Sequence, residues 1–110
     1  MMFGHGFVYV LRNAKSVVYG PHGKKIGTLG NIFMDVSTGD ADYVTVHLGP
    51  FGARENFVSL EGATMENGHL QVAFEKTLIL GAPDVAPFGE LRDQDKNLLD
   101  RYYSVVNRAA

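Results

Sequence analysis

Histidine is the residue type in this chain best suited to acid–base or metal chemistry, and it occurs as His5, His22, His47 and His69. No two of these positions have the i,i+4 helical spacing or the short-loop spacing that metal sites use. None has a carboxylate partner close by in the sequence. We therefore expect all four in surface turns or on outward strand faces, and we predict no metal site and no cofactor.

Three carboxylates, Asp35, Asp40 and Asp42, surround one predicted turn and form the strongest candidate for a calcium site. Their spacing does not match an EF-hand loop, because Ser37 and Gly39 stand where that loop needs oxygen-rich side chains and no Glu closes it. A turn rich in Asp, Thr and Gly accounts for the same residues. We predict a hairpin turn at this position and no bound calcium.

The patterns of nucleotide-binding loops and of covalent catalysis are absent from the sequence. Gly23-Lys24 lacks the upstream Gly and the downstream Ser or Thr of a phosphate-binding loop, and no Ser lies in a Gly-x-Ser-x-Gly elbow. Without Cys there is no thiolate nucleophile and no thiolate zinc site. A catalytic pair of carboxylates that only the fold brings together cannot be recognised in a sequence. However, the predicted chain has few long loops, and catalytic clefts are formed mostly by loops. The residues therefore predict a protein that is not an enzyme.

The length and charge restrict the class of protein further. The 110 residues are 45% apolar and 20% charged, which predicts one globular domain, and 13 Gly predict many tight turns. Residues 1–55 hold five cations and four carboxylates, and residues 56–110 hold five and eight. Neither half is basic and the longest basic run is Lys24-Lys25, so we expect no nucleic acid as the primary partner.

The N-terminal residues do not read as a signal peptide or a membrane span. Gly4 and Gly6 interrupt an apolar stretch that has no positive start and then runs only from Phe7 to Leu11. We expect an edge strand or tail in residues 1–14. The absence of Cys fits a reducing compartment, and we predict a cytoplasmic location.

Short β-rich runs recur up to about residue 75, with Gly-containing turns between them. The predicted strands are Val17 to Tyr19, Ile26 to Val36, Asp42 to Leu48, Asn56 to Leu60, Ala63 to Glu66 and His69 to Phe74. Asn67-Gly68 predicts a two-residue hairpin turn, and Gly27 and Gly30 suggest a bulge. Such a series predicts a small, partly open antiparallel β-barrel of five to seven strands.

Alternation within these strands predicts which side chains reach the core. On one strand the predicted core face holds Val44, Val46 and Leu48. The opposite face, with Tyr43, Thr45 and His47, is predicted to be polar or only half covered. On two others the predicted core residues are Ile32, Met34 and Val36, and Leu70, Val72 and Phe74.

The sequence pattern changes after Phe74 and becomes helical from about Asp93. Residues 78–80 predict a short turn or a single helical turn, and a longer helix is predicted from Asp93 to Val106, with Asp93 as its N-cap. Its apolar stripe would consist of Leu98, Leu99, Tyr102, Tyr103 and Val106. The predicted organisation is thus residues 15–92 as the barrel and 93–110 as a C-terminal α-helix packed on it.

The ordered set of short motifs resembles the PRC-barrel family, whose small barrels occur in the photosynthetic reaction-centre H subunit and at the C-terminal end of RimM. The resemblance covers roughly residues 15 to 105 and rests on Val18-Tyr19, the stretch from Gly23 to Asp35 with the Thr38-Gly39 turn, Tyr43 to Val46, Leu48 to Gly52, Glu55 to Leu60, Ala82-Pro83 and Leu98 to Tyr103. Ser59 stands near a position where family members usually carry Pro. The resemblance implies a protein-interaction or assembly module without catalytic residues.

Two functions from different classes remain open. The first is a non-enzymatic barrel that binds protein, itself foremost as a homodimer, with a candidate interaction surface at Pro50, Phe51, Arg54, Tyr102 and Tyr103. An aromatic side chain flanked by Gly and Pro, as Phe51 is, either anchors a partner or folds back over its own barrel. The second is a small-ligand or enzymatic pocket, in which Tyr43, His47 and Arg54 converge at the barrel mouth.

Overall fold

The computed structural model describes residues 16–35, 37–85 and 91–109. Its elements are β1 (Val17–Tyr19), β2 (Lys25–Met34), β3 (Ala41–Leu48), β4 (Arg54–Ser59), β5 (Thr64–Glu66), β6 (His69–Gln71), α1 (Lys76–Leu80) and α2 (Asp93–Ala109). Two 3₁₀ turns, Pro21–Gly23 and Pro50–Gly52, join β1 to β2 and β3 to β4. The predicted class, mainly β with a C-terminal helix, is confirmed. The N-terminal strand or tail predicted in residues 1–14 lies outside the described residues.

The six strands form one mixed sheet in the order β4-β3-β2-β1-β6-β5. The sheet is not closed, since no pairing joins β4 to β5. Four pairings are antiparallel, but β1 and β6 are parallel, with Val18 opposite Leu70. The purely antiparallel arrangement was therefore a wrong prediction. The pairing of β1 with β6 joins segments some fifty residues apart, and local turn signals carry no information about its direction.

The pairing of the longest strand, β2, is irregular around Gly30, where a bulge was predicted. Its register against β3 shifts between Leu29 and Ile32 and again between Phe33 and Met34. At Gly27 a β-carbon would lie 2.0 Å from the carbonyl oxygen of His47, so only glycine permits this approach of β2 to β3. The predicted end of the strand, Val36, lies outside the described residues.

Both faces of β3 are buried, which corrects the prediction of one polar or half-covered face. Val44, Val46 and Leu48 lie in the core as expected, but Tyr43 and Thr45 on the opposite face are equally buried. Only His47 on that face remains partly exposed. The reason is tertiary, because Tyr103 of α2 packs on the Tyr43 ring with 6.3 Å between ring centroids.

The β5–β6 hairpin confirms the predicted turn at Asn67-Gly68, since both residues have positive φ, 53° and 78°. The strands are shorter than predicted, and β6 ends at Gln71 instead of Phe74. The side chains predicted for the core are nevertheless buried at Leu70, Val72 and Phe74. The Val72 N–H continues the pairing by donating to the carbonyl of Tyr19.

The helical part follows the predicted boundaries closely. The single turn α1 includes the predicted residues 78–80, and α2 begins at Asp93. The Lys96 N–H donates to the carbonyl of Arg92, so the N-cap position belongs to Arg92 and the predicted cap is one residue off. Leu99 and Tyr103 are buried and Tyr102 and Val106 are half-buried. Leu98 was wrongly placed in the stripe, because neighbouring helical residues point about 100° apart and Leu99 takes the inner position.

Candidate functional site

The most exposed aromatic side chain among the described residues is Phe51, which sits at the apex of the turn formed by residues 49–52. Its side chain is fully exposed, at 106% of the reference area. The Gly52 N–H donates to the carbonyl of Gly49 over 3.1 Å, which closes the turn. The backbone of Phe51 has φ 61°, a left-handed conformation that is unfavourable for a bulky residue. The ring therefore does not fold back over its own sheet, and it is held outward by a strained backbone.

The same turn occurs a second time in the chain. Residues 20–23 have the sequence Gly-Pro-His-Gly and residues 49–52 have Gly-Pro-Phe-Gly. The central residue, His22, has φ 67° and is exposed like Phe51, and the Gly23 N–H donates to the carbonyl of Gly20. The repeat is visible in the sequence as two copies of Gly-Pro-x-Gly, 29 residues apart.

The strand register places both turns at the same end of the sheet. Thr28 of β2 is opposite His47 of the antiparallel strand β3, so the start of β2 and the end of β3 lie side by side. The two hairpins occupy neighbouring strand pairs, and two strand spacings separate their apices by roughly 10 Å. His22 and Phe51 thus project from one end of the molecule.

Cations collect at this end, which we call the basic end and define by Lys24, Lys25, Arg54 and Lys76. The first three flank the two turns directly and are exposed. Lys76 joins them because it lines a small cleft of about 200 Å³ together with Pro21 and Lys24. Glu55 and Glu75 are the carboxylates nearby, so the described residues of the end carry four cations and two carboxylates. The net charges of the two halves of the sequence do not reveal this polarity, because the four cations come from three separate segments, 24–25, 54 and 76.

The predicted pocket of Tyr43, His47 and Arg54 is not assembled. Tyr43 and His47 are four residues apart on one strand, about 13 Å along β3. The Tyr43 hydroxyl is enclosed and donates to Asp100 of α2 over 2.5 Å. Burial, and then this bond, raise the pKa of Tyr43, so the phenol stays protonated and cannot serve as a general base near neutral pH. Arg54 is exposed at the basic end.

A polar network instead surrounds Gly30 in the bulge of β2. The Thr45 hydroxyl donates to Glu55 over 2.5 Å and accepts the N–H of Asn31 over 2.8 Å. A β-carbon on Gly30 would lie 2.5 Å from that hydroxyl oxygen and 3.1 Å from the His47 Nε2 atom. Because Thr45 is fully buried and its hydroxyl is bonded, it is not presented to a substrate. The network satisfies the hydrogen bonds of the bulge.

The two tyrosines predicted for the interaction surface lie against the domain itself. Tyr103 is buried, and its hydroxyl donates to the carbonyl of Phe57. The Tyr102 hydroxyl donates to the carbonyl of Leu78 over 2.5 Å. These two hydrogen bonds therefore hold α2 against α1 and β4. Of the five predicted surface residues, Pro50, Phe51 and Arg54 remain on the exterior, together on one loop.

The opposite end of the sheet holds a cleft of about 620 Å³, which we call the acidic cleft. Its described lining consists of Ile32, Phe33, Met34, Asp35, Ser37, Asp42, Leu91, Arg92, Asp93 and Lys96. The Lys96 ammonium bridges Asp35 and Asp42 at 2.5 and 2.7 Å, so its charge is already matched within the protein.

The ion bridge changes the titration of all three groups. The hydrogen bond from Lys96, and after it the Ser37 N–H, lower the pKa of Asp35. The pKa of Asp42 is raised because its burial outweighs the effect of Lys96. The hydrogen bonds to Asp35 and Asp42 raise the pKa of Lys96, which keeps it charged at neutral pH. The bridge thus ties the start of α2 to the β2–β3 hairpin.

Among the residues that the structure describes, no three His, Asp or Glu side chains are grouped as a metal site requires. Within the same residues neither helix is long and apolar enough to cross a bilayer. The arrangement with the clearest binding chemistry is thus the basic end, where an apolar ring stands among cations.

Comparison with known proteins leaves the chain without a family assignment. No protein-family model matches it, and a search of curated proteins found no match.

Proposed function

We propose that this protein is a non-enzymatic, cytoplasmic protein-interaction module of the PRC-barrel type, and that it associates with copies of itself. The observation that carries the proposal is the side chain of Phe51, which is fully exposed at the apex of a tight turn. Aromatic side chains and Arg are enriched at protein interfaces, and the exposed ring of Phe51 lies on the same loop as the exposed Arg54. We also propose that the sheet is a partly open barrel. A single core, to which Val18, Val44, Val58 and Leu70 contribute, supports this description.

The strained backbone of Phe51 also indicates a binding role for the 49–52 turn. A left-handed conformation costs an L-residue on the order of 1–2 kcal/mol, and glycine would adopt it without that cost. Phe51 gains nothing within its own chain that offsets this cost, because its ring is fully exposed. Strain that serves no purpose in the fold is typical of a functional position. A partner that covers the ring supplies the missing stabilisation.

Replacement of Phe51 by Ser tests the proposal. We expect the wild-type chain to form oligomers at micromolar concentration and the Phe51→Ser variant to be monomeric, with dissociation constants differing by at least about 30-fold, equivalent to roughly 2 kcal/mol for a central aromatic. Multi-angle light scattering over a concentration series measures the mass. The melting temperature of dilute Phe51→Ser should equal that of dilute wild type, because no buried contact is lost.

Leu98→Ser is the matched control, since Leu98 is also an exposed large apolar residue but lies on α2. It should leave the oligomer intact. A wild-type chain that stays monomeric at high micromolar concentration would refute self-association. Dissociation by Leu98→Ser, with Phe51→Ser still oligomeric, would place the interface on the helix instead.

A further inference from the structure

We propose that copies of this chain associate head to tail, with the 49–52 turn of one copy inserted into the acidic cleft of the next. This inference rests on the proposed self-association and specifies its geometry. It joins the two most distinctive surfaces of the molecule, the strained aromatic apex at the basic end and the acidic cleft at the opposite end.

The chemistry of the acidic cleft fits an aromatic side chain with cations beside it. Its floor is apolar, with Ile32, Phe33, Met34 and Leu91, and its volume of about 620 Å³ is ample for a benzyl group. Carboxylates line the rest, namely Asp35, Asp42 and Asp93. A ring that enters such a cleft loses its exposure to water, while cations that flank it come close to carboxylates at the rim.

The charges of the two ends are opposite in sign. The described residues of the basic end include four cations and two carboxylates, a net charge of +2. The described lining of the acidic cleft has three carboxylates and two cations, and Asp40 lies in the adjoining turn. The bridge holds Lys96 between Asp35 and Asp42, and these three groups together carry a net charge of −1. Two basic ends facing each other would repel, whereas a basic end facing an acidic cleft attracts.

The positions of the two surfaces determine the symmetry of the assembly. The eight residues of β3 run between the two ends, a distance of about 23 Å. One copy therefore uses different surfaces for its two neighbours. Such a heterologous contact builds an open chain or a ring, whereas two Phe51 apices meeting each other would build a closed two-fold dimer.

Mixing two defective variants distinguishes these arrangements. Phe51→Ser removes the ring but keeps the cleft, and Ser37→Arg places bulk and positive charge in the cleft but keeps the ring. Ser37 is exposed, and only its backbone N–H bonds to Asp35, so the Lys96 bridge is preserved. We expect each variant alone to be monomeric and an equimolar mixture to form a species of twice the monomer mass and no larger. Sedimentation velocity measures these masses, and added salt should weaken the mixed dimer.

Two further variants keep the test decisive. Thr64→Arg adds the same charge on exposed β5 outside the cleft and should leave wild-type assembly unchanged. Asp93→Lys reverses a cleft charge independently and should weaken assembly at least 10-fold, as Ser37→Arg does. If the wild type assembles but the mixture stays monomeric, the head-to-tail geometry is wrong and the proposed self-association stands. If the wild type is monomeric at high micromolar concentration, both proposals are wrong. Sedimentation of that monomer with anionic vesicles would then assign the basic end to a membrane surface.

Discussion

At the scale of single residues, the conformation of Phe51 has a measurable consequence for stability. Glycine relieves the left-handed strain of about 1–2 kcal/mol but loses more chain entropy on folding, so Phe51→Gly should raise the unfolding free energy of the monomer by about 0.5–1 kcal/mol. Urea denaturation at low protein concentration measures the change. His22→Gly, in the twin turn, should give a similar gain. A loss of stability in Phe51→Gly would show that the ring packs on its own chain in solution.

A second residue-scale prediction concerns the glycine that brings β2 against β3. In Gly27→Ala the new β-carbon would overlap the His47 carbonyl, 2.0 Å away, and the backbone there cannot yield cheaply. We expect a loss of about 3 kcal/mol or more in unfolding free energy. Gly39→Ala is the control, because Gly39 has φ 77° but open space around it, and it should lose only about 1–2 kcal/mol. Equal losses in the two variants would contradict the close approach of the strands.

At the scale of elements, adjacent leucines on α2 report which face of the helix packs on the sheet. Leu99 is fully buried and Leu98 is 49% exposed. Leu99→Ala should lower the unfolding free energy by about 2–4 kcal/mol, and Leu98→Ala by less than about 0.5 kcal/mol. Chemical denaturation of the two variants provides the comparison. Similar losses for both would mean that α2 is rotated or that a partner covers its outer face.

Tyrosine hydroxyls explain why α2 has a defined position on the sheet. Tyr43, Tyr102 and Tyr103 each donate to an acceptor on another element, namely Asp100, Leu78 and Phe57. Each ring adds buried apolar surface, and each hydroxyl satisfies its donor without exposing the core to water. Two of the bonds come from α2 and one is received by it. The helix is therefore held by directional contacts as well as by its apolar stripe.

At the scale of the whole molecule, the Lys96 bridge makes stability depend on pH. Asp35 has a lowered pKa, so its contribution is present above the unfolded value of about 3.9 and is lost as the pH falls through the lower folded value. Asp42 has a raised pKa, so its ionised form lowers the stability of the folded protein at neutral pH. This penalty disappears as the pH falls below the unfolded value of about 3.9. Lys96 has a raised pKa, and its contribution is lost only as the pH rises above about 10.4 towards the folded value.

Lys96→Met tests this dependence. The variant leaves two carboxylates facing each other without a cation, so it should be less stable than wild type at pH 7. The difference between the two proteins should shrink as the pH falls below about 4, where the carboxylates become protonated. Urea midpoints between pH 2 and 9 measure it. Lys76→Met is the control, because it removes an exposed Lys outside the bridge. If the difference in stability between wild type and Lys96→Met is the same at pH 2.5 and at pH 7, the bridge does not exist in solution.

Much of the local structure could be predicted from the sequence, because local chemistry decides it. The hairpin at Asn67-Gly68 follows from two residues that tolerate positive φ, and the bulge in β2 follows from Gly27 and Gly30. The helix from Asp93 follows from apolar residues at helical spacing. The alternation that buries Leu70, Val72 and Phe74 is likewise a local pattern.

Contacts between distant segments were decided only by the tertiary structure. The parallel pairing of β1 with β6, the burial of Tyr43 and Thr45, and the outward position of Leu98 depend on partners far away in the chain. The basic end also arises only in three dimensions, because Lys24, Arg54 and Lys76 belong to separate segments that antiparallel and parallel pairing bring to one end. Turn chemistry and periodicity act over a few residues, whereas burial and surface charge depend on which segments the folded chain places side by side.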